Sequence, residues 1–216
     1  MRITRLVQVL LLILSLFFIL SCGDNSGREA AQATTKDQKG ADVPAYGDAI
    51  VNGSIGDASN LIPALSSDSS SGTINGLVYN GLIKTDKNLN LVGDLAKSWD
   101  ISKDGLTITF HLRKGVLWHD GHPFTSKDVM FTYKLMIDPK TPTAYGEDYK
   151  QVKKAETPDD YTFRVTYDHP YAPALISWSF PIMPAHLLEG KDITKSPLSR
   201  KPIGTGPYIF NCLLYT

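Results

Sequence analysis

The chain has 216 residues, 42% hydrophobic and 20% charged, a composition that supports a folded core and excludes wholesale disorder. Its 22 lysines and arginines balance 22 aspartates and glutamates, which excludes a nucleic-acid binder built on a basic face. Two cysteines cannot make a disulfide framework or a four-thiolate zinc site.

Residues 1–5 carry Arg2 and Arg5 and no acid, and residues 6–20 are apolar except for Gln8 and Ser15. A basic start, an apolar run of this length and Ser21 before Cys22 predict a secretory signal over residues 1–21, too short for a comfortable transmembrane helix. Ile19-Leu20-Ser21-Cys22 resembles the bacterial lipobox, in which the cysteine is acylated and becomes the new N-terminus. Leu20 departs from the small residue usual at its position. An ordinary signal peptide with a chance cysteine is the alternative. Removal of residues 1–21 leaves 20 basic against 22 acidic residues. That balance gives a membrane surface little to attract, so acyl chains, at ~0.8 kcal/mol per buried CH₂, must supply the anchoring. Residues 22–45 hold Val43 as their one sizeable apolar side chain and read as a flexible tether, on the order of 25 Å long.

Ala49-Ile50-Val51 predicts a short buried strand, residues 66–72 a polar loop, and residues 76–83 an apolar stretch too broken by glycine to assign. Trp99-Asp100-Ile101 and residues 106–112 flank an Asp104-Gly105 turn and predict a hairpin. Leu106, Ile108, Phe110 and Leu112 alternate with polar residues, as in a half-buried strand. Thr125 is a good N-cap, with Asp128 in capping-box position, for a helix that Asp138-Pro139 ends. A second hairpin is expected around Thr157-Pro158-Asp159-Asp160. Pro184 starts a short helix through Leu188, with Gly190 at its C-cap. The fold class is mixed α/β with antiparallel pairing, not a run of βαβ units.

His111, His119 and His122 invite a zinc reading, but Asp120-Gly121 makes a turn that does not place imidazoles as a helical pair does. The alternative, a solvated turn, assigns no metal ligand. No Gly-x-Ser-x-Gly elbow occurs among the serines. Gly204-Thr205-Gly206 is followed by Pro207 rather than a lysine, unlike a phosphate loop. Trp99, Trp118, Trp178 and most tyrosines read as core.

The stretch Asp94-Leu95-Ala96-Lys97-Ser98-Trp99 through Met130 resembles the signature region of the family 5 extracellular solute-binding proteins. These are the oligopeptide-, dipeptide- and nickel-binding components of ABC importers. Gly76-Leu77-Val78-Tyr79-Asn80-Gly81-Leu82, Pro184-Ala185-His186-Leu187-Leu188 and Pro202-Ile203-Gly204-Thr205-Gly206-Pro207-Tyr208 match further family landmarks in order. His122 stands where the family more often has a small polar residue.

The resemblance implies a type II periplasmic-binding-protein architecture. Residues 46–210 would form its first lobe, with a β-rich subdomain inserted over about residues 85–200 and a return strand near Gly204-Thr205-Gly206. Members are more than twice this length, so a second lobe is expected beyond this chain. Asn211-Cys212-Leu213-Leu214-Tyr215-Thr216 leaves the family pattern and reads as an artefactual tail, since one frame of a transposase sequencing adapter encodes such residues. A single lobe is expected not to bind solute, because it supplies half the contacts and no closure.

The implied function is a monomeric, lipid-anchored receptor facing the periplasm or cell exterior. It would capture peptides by hinge closure and deliver them to ABC permease and ATPase subunits, with no cofactor and no catalysis. A nickel- or haem-type receptor, or a zinc-dependent extracytoplasmic enzyme using His119 and His122, are the alternatives. Asn60-Leu61-Ile62-Pro63 is similar to the family motif that precedes its peptide-pairing segment, which places Ser67, Asp68 and Ser69 against the ligand backbone as an added strand. Tyr145 falls where the family sometimes has a ligand-facing tyrosine. The lipobox reading predicts that palmitate incorporated in bacterial cells is lost on Cys22→Ser and that the variant leaves the membrane fraction; retained label would refute it.

Overall fold

A computed structural model describes residues 52–54 and 56–213; the signal segment, Cys22, the tether and the strand expected at Ala49-Ile50-Val51 lie outside the described residues. Helix α1 (Ser69–Val78) comes first, then the hairpin β1 (Ile83–Thr85) and β2 (Leu91–Gly93). Strands β3 (Ala96–Ile101) and β4 (Thr107–Leu112) precede helices α2 (Ser126–Ile137) and α3 (Glu147–Lys150). Strands β5 (Val152–Asp159) and β6 (Thr162–Tyr167) and the short helix α4 (Ala185–Leu188) follow. Helix α1 corrects the polar loop expected over residues 66–72. Asp68 accepts a hydrogen bond from Ser71 N at 2.8 Å, so the serine run begins a capped helix.

The two expected hairpins form one antiparallel sheet in the order β3-β4-β6-β5. Gly105 takes a φ of +70° in the first turn, where a side chain would be strained. Phe110 lies opposite Phe163 and Ile108 opposite Val165, so the alternating apolar residues of β4 and β6 cover one face. Thr107, Thr109, His111, Thr162, Arg164 and Thr166 occupy the other.

Helix α2 packs beside this sheet with the predicted capping box: Thr125 Oγ1 caps Lys127 N, and Asp128 accepts from Thr125 N at 2.9 Å. Asp128 is buried and also accepts from Ala185 N at 3.0 Å, while Thr132 Oγ1 accepts from Met183 N at 2.9 Å. One helix turn therefore holds the chain entering α4. Burial raises the Asp128 carboxyl above its ordinary range, and the two N–H donors oppose that shift. The indole N–H of Trp118 lies near enough to favour the charge yet outside hydrogen-bond geometry.

Trp178 joins the layers. Its ring centroid is 4.9 Å from Phe163, 5.8 Å from Phe110 and 5.2 Å from Tyr149, and its Nε1–H donates to Tyr167 Oη at 3.2 Å. Its backbone carbonyl accepts from Leu82 N at 2.9 Å. Gly81 permits this approach, since a Cβ there would lie 2.4 Å from Ser179 O.

The Gly204-Thr205-Gly206 segment is irregular, where a return strand was expected. Pro207 has no N–H, and the segment meets a helix end rather than a strand. Gly206 N donates to Val78 O at 2.7 Å and Tyr208 N to Leu77 O at 3.2 Å, satisfying carbonyls that the end of α1 leaves open. A Cβ at Gly204 would fall 1.9 Å from Val78 O. Trp178→Ala is expected to destabilise the fold by about 3–5 kcal/mol in denaturant titration; a loss under about 1 kcal/mol would show that the ring is not central.

Candidate functional site

The structure brings the residues singled out for ligand contact to one place. Residues 66 and 68 have extended backbone, with φ/ψ of −109°/137° and −88°/153°. Ser67 is exposed between them, and neither its N–H nor its C=O has a partner among the described residues. Ser69 is the first residue of α1. The extended backbone at residues 66 and 68 gives way to helix at Ser69, so Ser69 does not share the strand-like conformation expected of it. The helix commits its backbone from that residue onward.

Asp68 is occupied by local structure. Its carboxylate accepts from the Ser59 hydroxyl, from Ser71 N and, at 2.7 Å, from Ser71 Oγ. These donors, the Ser59 hydroxyl foremost, hold its carboxyl well below the usual range. Its role here is to set the angle at which the extended segment meets α1.

Tyr145 reaches this segment from far along the chain. Its hydroxyl donates to Ser66 O at 3.0 Å, and its ring, 39% exposed, lies 5.2 Å from Phe180. Gly146 follows, where a Cβ would meet Met136 O at 2.5 Å, so the Tyr145 turn hugs the end of α2. A depression of about 340 Å³ opens beside Tyr145, lined also by Asp148, Tyr149, Ile176 and Phe180. Sequence reasoning missed this wall. Leu175-Ile176-Ser177-Trp178-Ser179-Phe180 carries alternation suited to a strand, yet it folds as a 3-10 turn over Ile176–Ser179 that buries Trp178.

The histidines considered for zinc are engaged otherwise. His119 Nε2 lies 2.9 Å from Gly206 O and its Nδ1 accepts from Gly204 N at 3.3 Å, a pattern that assigns the neutral Nε2–H tautomer. His122 stacks on His186 at 4.0 Å, and His186 Nε2 pairs with Asp120 at 2.8 Å. His111 pairs with Asp100 across β3 and β4 at 2.7 Å. Among the described residues, no three His, Cys, Asp or Glu side chains converge to hold a metal. Among them, too, no helix is long and apolar enough to cross a membrane.

Comparison with known proteins identifies the family. The profile of the bacterial extracellular solute-binding proteins, family 5 Middle, matches residues 90–213. The oligopeptide-binding protein AppA of Bacillus subtilis is 33% identical over 217 residues, covering 97% of this chain and 39% of that protein. The crystal structure of NikZ from Campylobacter jejuni in complex with Ni(L-His) superposes with a TM-score of 0.68 at 37% identity, over 74% of this chain and 32% of that one. DppA from Helicobacter pylori in complex with the peptide STSA gives a TM-score of 0.62 at 35% identity, over 72% and 36%.

The chain belongs to the family 5 bacterial extracellular solute-binding proteins, and its fold is part of the type II periplasmic-binding-protein architecture. It spans about 39% of the length of the curated relative AppA.

Because the folded-state value of Asp68 is depressed, its contribution to stability is present above the ordinary aspartate range, about 4, and is lost as pH falls through the depressed value. Asp68→Ala should therefore lower the melting temperature at pH 7, and the difference from wild type should shrink below about pH 4. A difference unchanged between pH 7 and pH 2 would refute this.

Proposed function

We propose that the protein is the solute receptor of an ABC importer, held at a bacterial membrane by acylated Cys22 and facing the periplasm or exterior. Peptides are its solute. Residues 46–210 belong to one wall of the cleft, with an inserted subdomain over about residues 85–200, and closure of a hinge over the ligand shifts the receptor toward the form its permease accepts. A monomer suffices for this cycle. No chemical step occurs in it; partner ATPase subunits supply the energy.

The observation that carries the reading is the bond from Tyr145 to Ser66, whose backbone is extended, beside the exposed Ser67. Among the described residues nothing pairs with the N–H and C=O of Ser67, the two groups a peptide backbone needs for strand-like pairing. Such pairing is indifferent to ligand side chains, which suits the range of peptides named for relatives: AppA of Bacillus subtilis is described with a nonapeptide and DppA with STSA. A nickel-chelate receptor is the second reading, favoured by the 37% identity to NikZ with Ni(L-His). The zinc-enzyme reading loses ground because backbone groups engage both ring nitrogens of His119.

Calorimetric titration of the full-length gene product, signal removed, tests the proposal. Di- to pentapeptides should bind at micromolar Kd or tighter, and Tyr145→Ala should weaken them about 10-fold, or ~1.4 kcal/mol. Binding of Ni²⁺ with L-histidine but of no peptide would replace this reading by the second. Binding of neither would overturn the receptor assignment.

A further inference from the structure

The depression beside Tyr145 carries information about which solute side chain it accepts, provided that the solute lies against Tyr145 as proposed above. Its volume, about 340 Å³, is at the low end of ligand pockets, which span roughly 300–1,000 Å³. That suits one side chain better than a whole peptide. Its walls are aromatic and aliphatic: Tyr145 stands 5.2 Å from Phe180, Phe180 stands 6.4 Å from Tyr149, and Ile176 is exposed at its rim.

Two carboxylates also line it, and they differ in state. Glu147 is paired with Lys150 Nζ at 2.6 Å, so its charge is met. Asp148 accepts from Tyr171 Oη–H at 2.5 Å, and no cation pairs with it among the described residues. Its field is felt around it. The hydrogen bond to Asp148 pushes the Tyr171 phenol up to about 12, and its charge adds to the effect of burial in raising Tyr149 and Tyr167. Asp148 is half-buried and, among the described residues, its charge meets no cation, so a cation entering from the open side would pair with it.

We propose that this depression is a specificity pocket for a cationic side chain, lysine or arginine, of the bound peptide, with Asp148 as its counter-charge. The aliphatic stem lies along Ile176 and Phe180 while the head group reaches Asp148 past the Tyr145 and Tyr149 rings. A glutamate or aspartate side chain is disfavoured there by the same charge. The pocket thus overlays a preference for one side chain on backbone pairing that has none.

The test is a pentapeptide series on the full-length gene product, in which a single lysine, arginine, norleucine or glutamate is moved through an otherwise all-alanine sequence. At one position lysine and arginine should bind roughly 5- to 20-fold tighter than norleucine, the advantage fading as ionic strength rises. The readout is the lysine-to-norleucine Kd ratio within each variant, which is insensitive to the amount of folded protein. Asp148→Asn should bring the ratio at that position to near one, and Asp148→Lys should transfer the preference to glutamate. Peptide binding with no cationic preference at any position, or a preference that survives Asp148→Asn, overturns the inference and leaves the receptor assignment standing. Failure of every peptide to bind overturns both.

Discussion

The burial of Trp178 is the constraint on which the site depends. Its indole packs against Phe110, Phe163 and Tyr149 and gives its N–H to Tyr167. Unpaired, that donor would cost about 1–3 kcal/mol inside the core. To bring the ring there, the chain tightens into the 3-10 turn over Ile176–Ser179, which leaves Ile176 exposed and Phe180 half-buried beside Tyr145. The backbone of the same residue accepts from Leu82 and so fixes the hairpin β1–β2 relative to the sheet. Core packing and the wall of the candidate site are consequences of one insertion.

A second set of contacts explains two family landmarks at once. The C-terminal carbonyls of α1 need donors, and the Gly204-Thr205-Gly206-Pro207-Tyr208 segment supplies them from the other end of the chain. The approach is so close that only glycine fits at residues 204 and 206. His119 completes the arrangement by holding both glycines through its two ring nitrogens. A histidine that suggests metal chemistry in the sequence is a backbone clamp in the structure. The pairing of His186 with Asp120, and the stacking of His122 upon it, use the neighbouring imidazoles in the same structural manner.

Polar residues placed for structure and polar residues open to a ligand lie side by side in the site. Asp68 is consumed by three donors from Ser59 and Ser71. Among the described residues, its neighbour Ser67 keeps its backbone groups open and Asp148 has no cationic partner. The distinction is one of hydrogen-bond accounting rather than residue type. Asp68 and Ser69 are committed to the start of α1, whereas the proposed ligand contact rests on Ser67 and Tyr145.

Much of the fold was legible because it rests on local chemistry. Period-two alternation in β4 and β6, the Asp104-Gly105 turn and the Thr125/Asp128 capping box need only near neighbours in the chain, and each appears as expected. Helix α1 was hidden because serine and glycine favour loops unless a cap pays their ordering cost, and the Asp68 cap draws on Ser59, outside the helix. The order β3-β4-β6-β5, the bond from Tyr145 to Ser66 across 79 residues, and the burial of Trp178 were decided by tertiary structure alone. The physical reason is range: hairpins and caps follow from residues a few positions apart, whereas a binding wall joins distant segments whose meeting is selected by the packing of a common core.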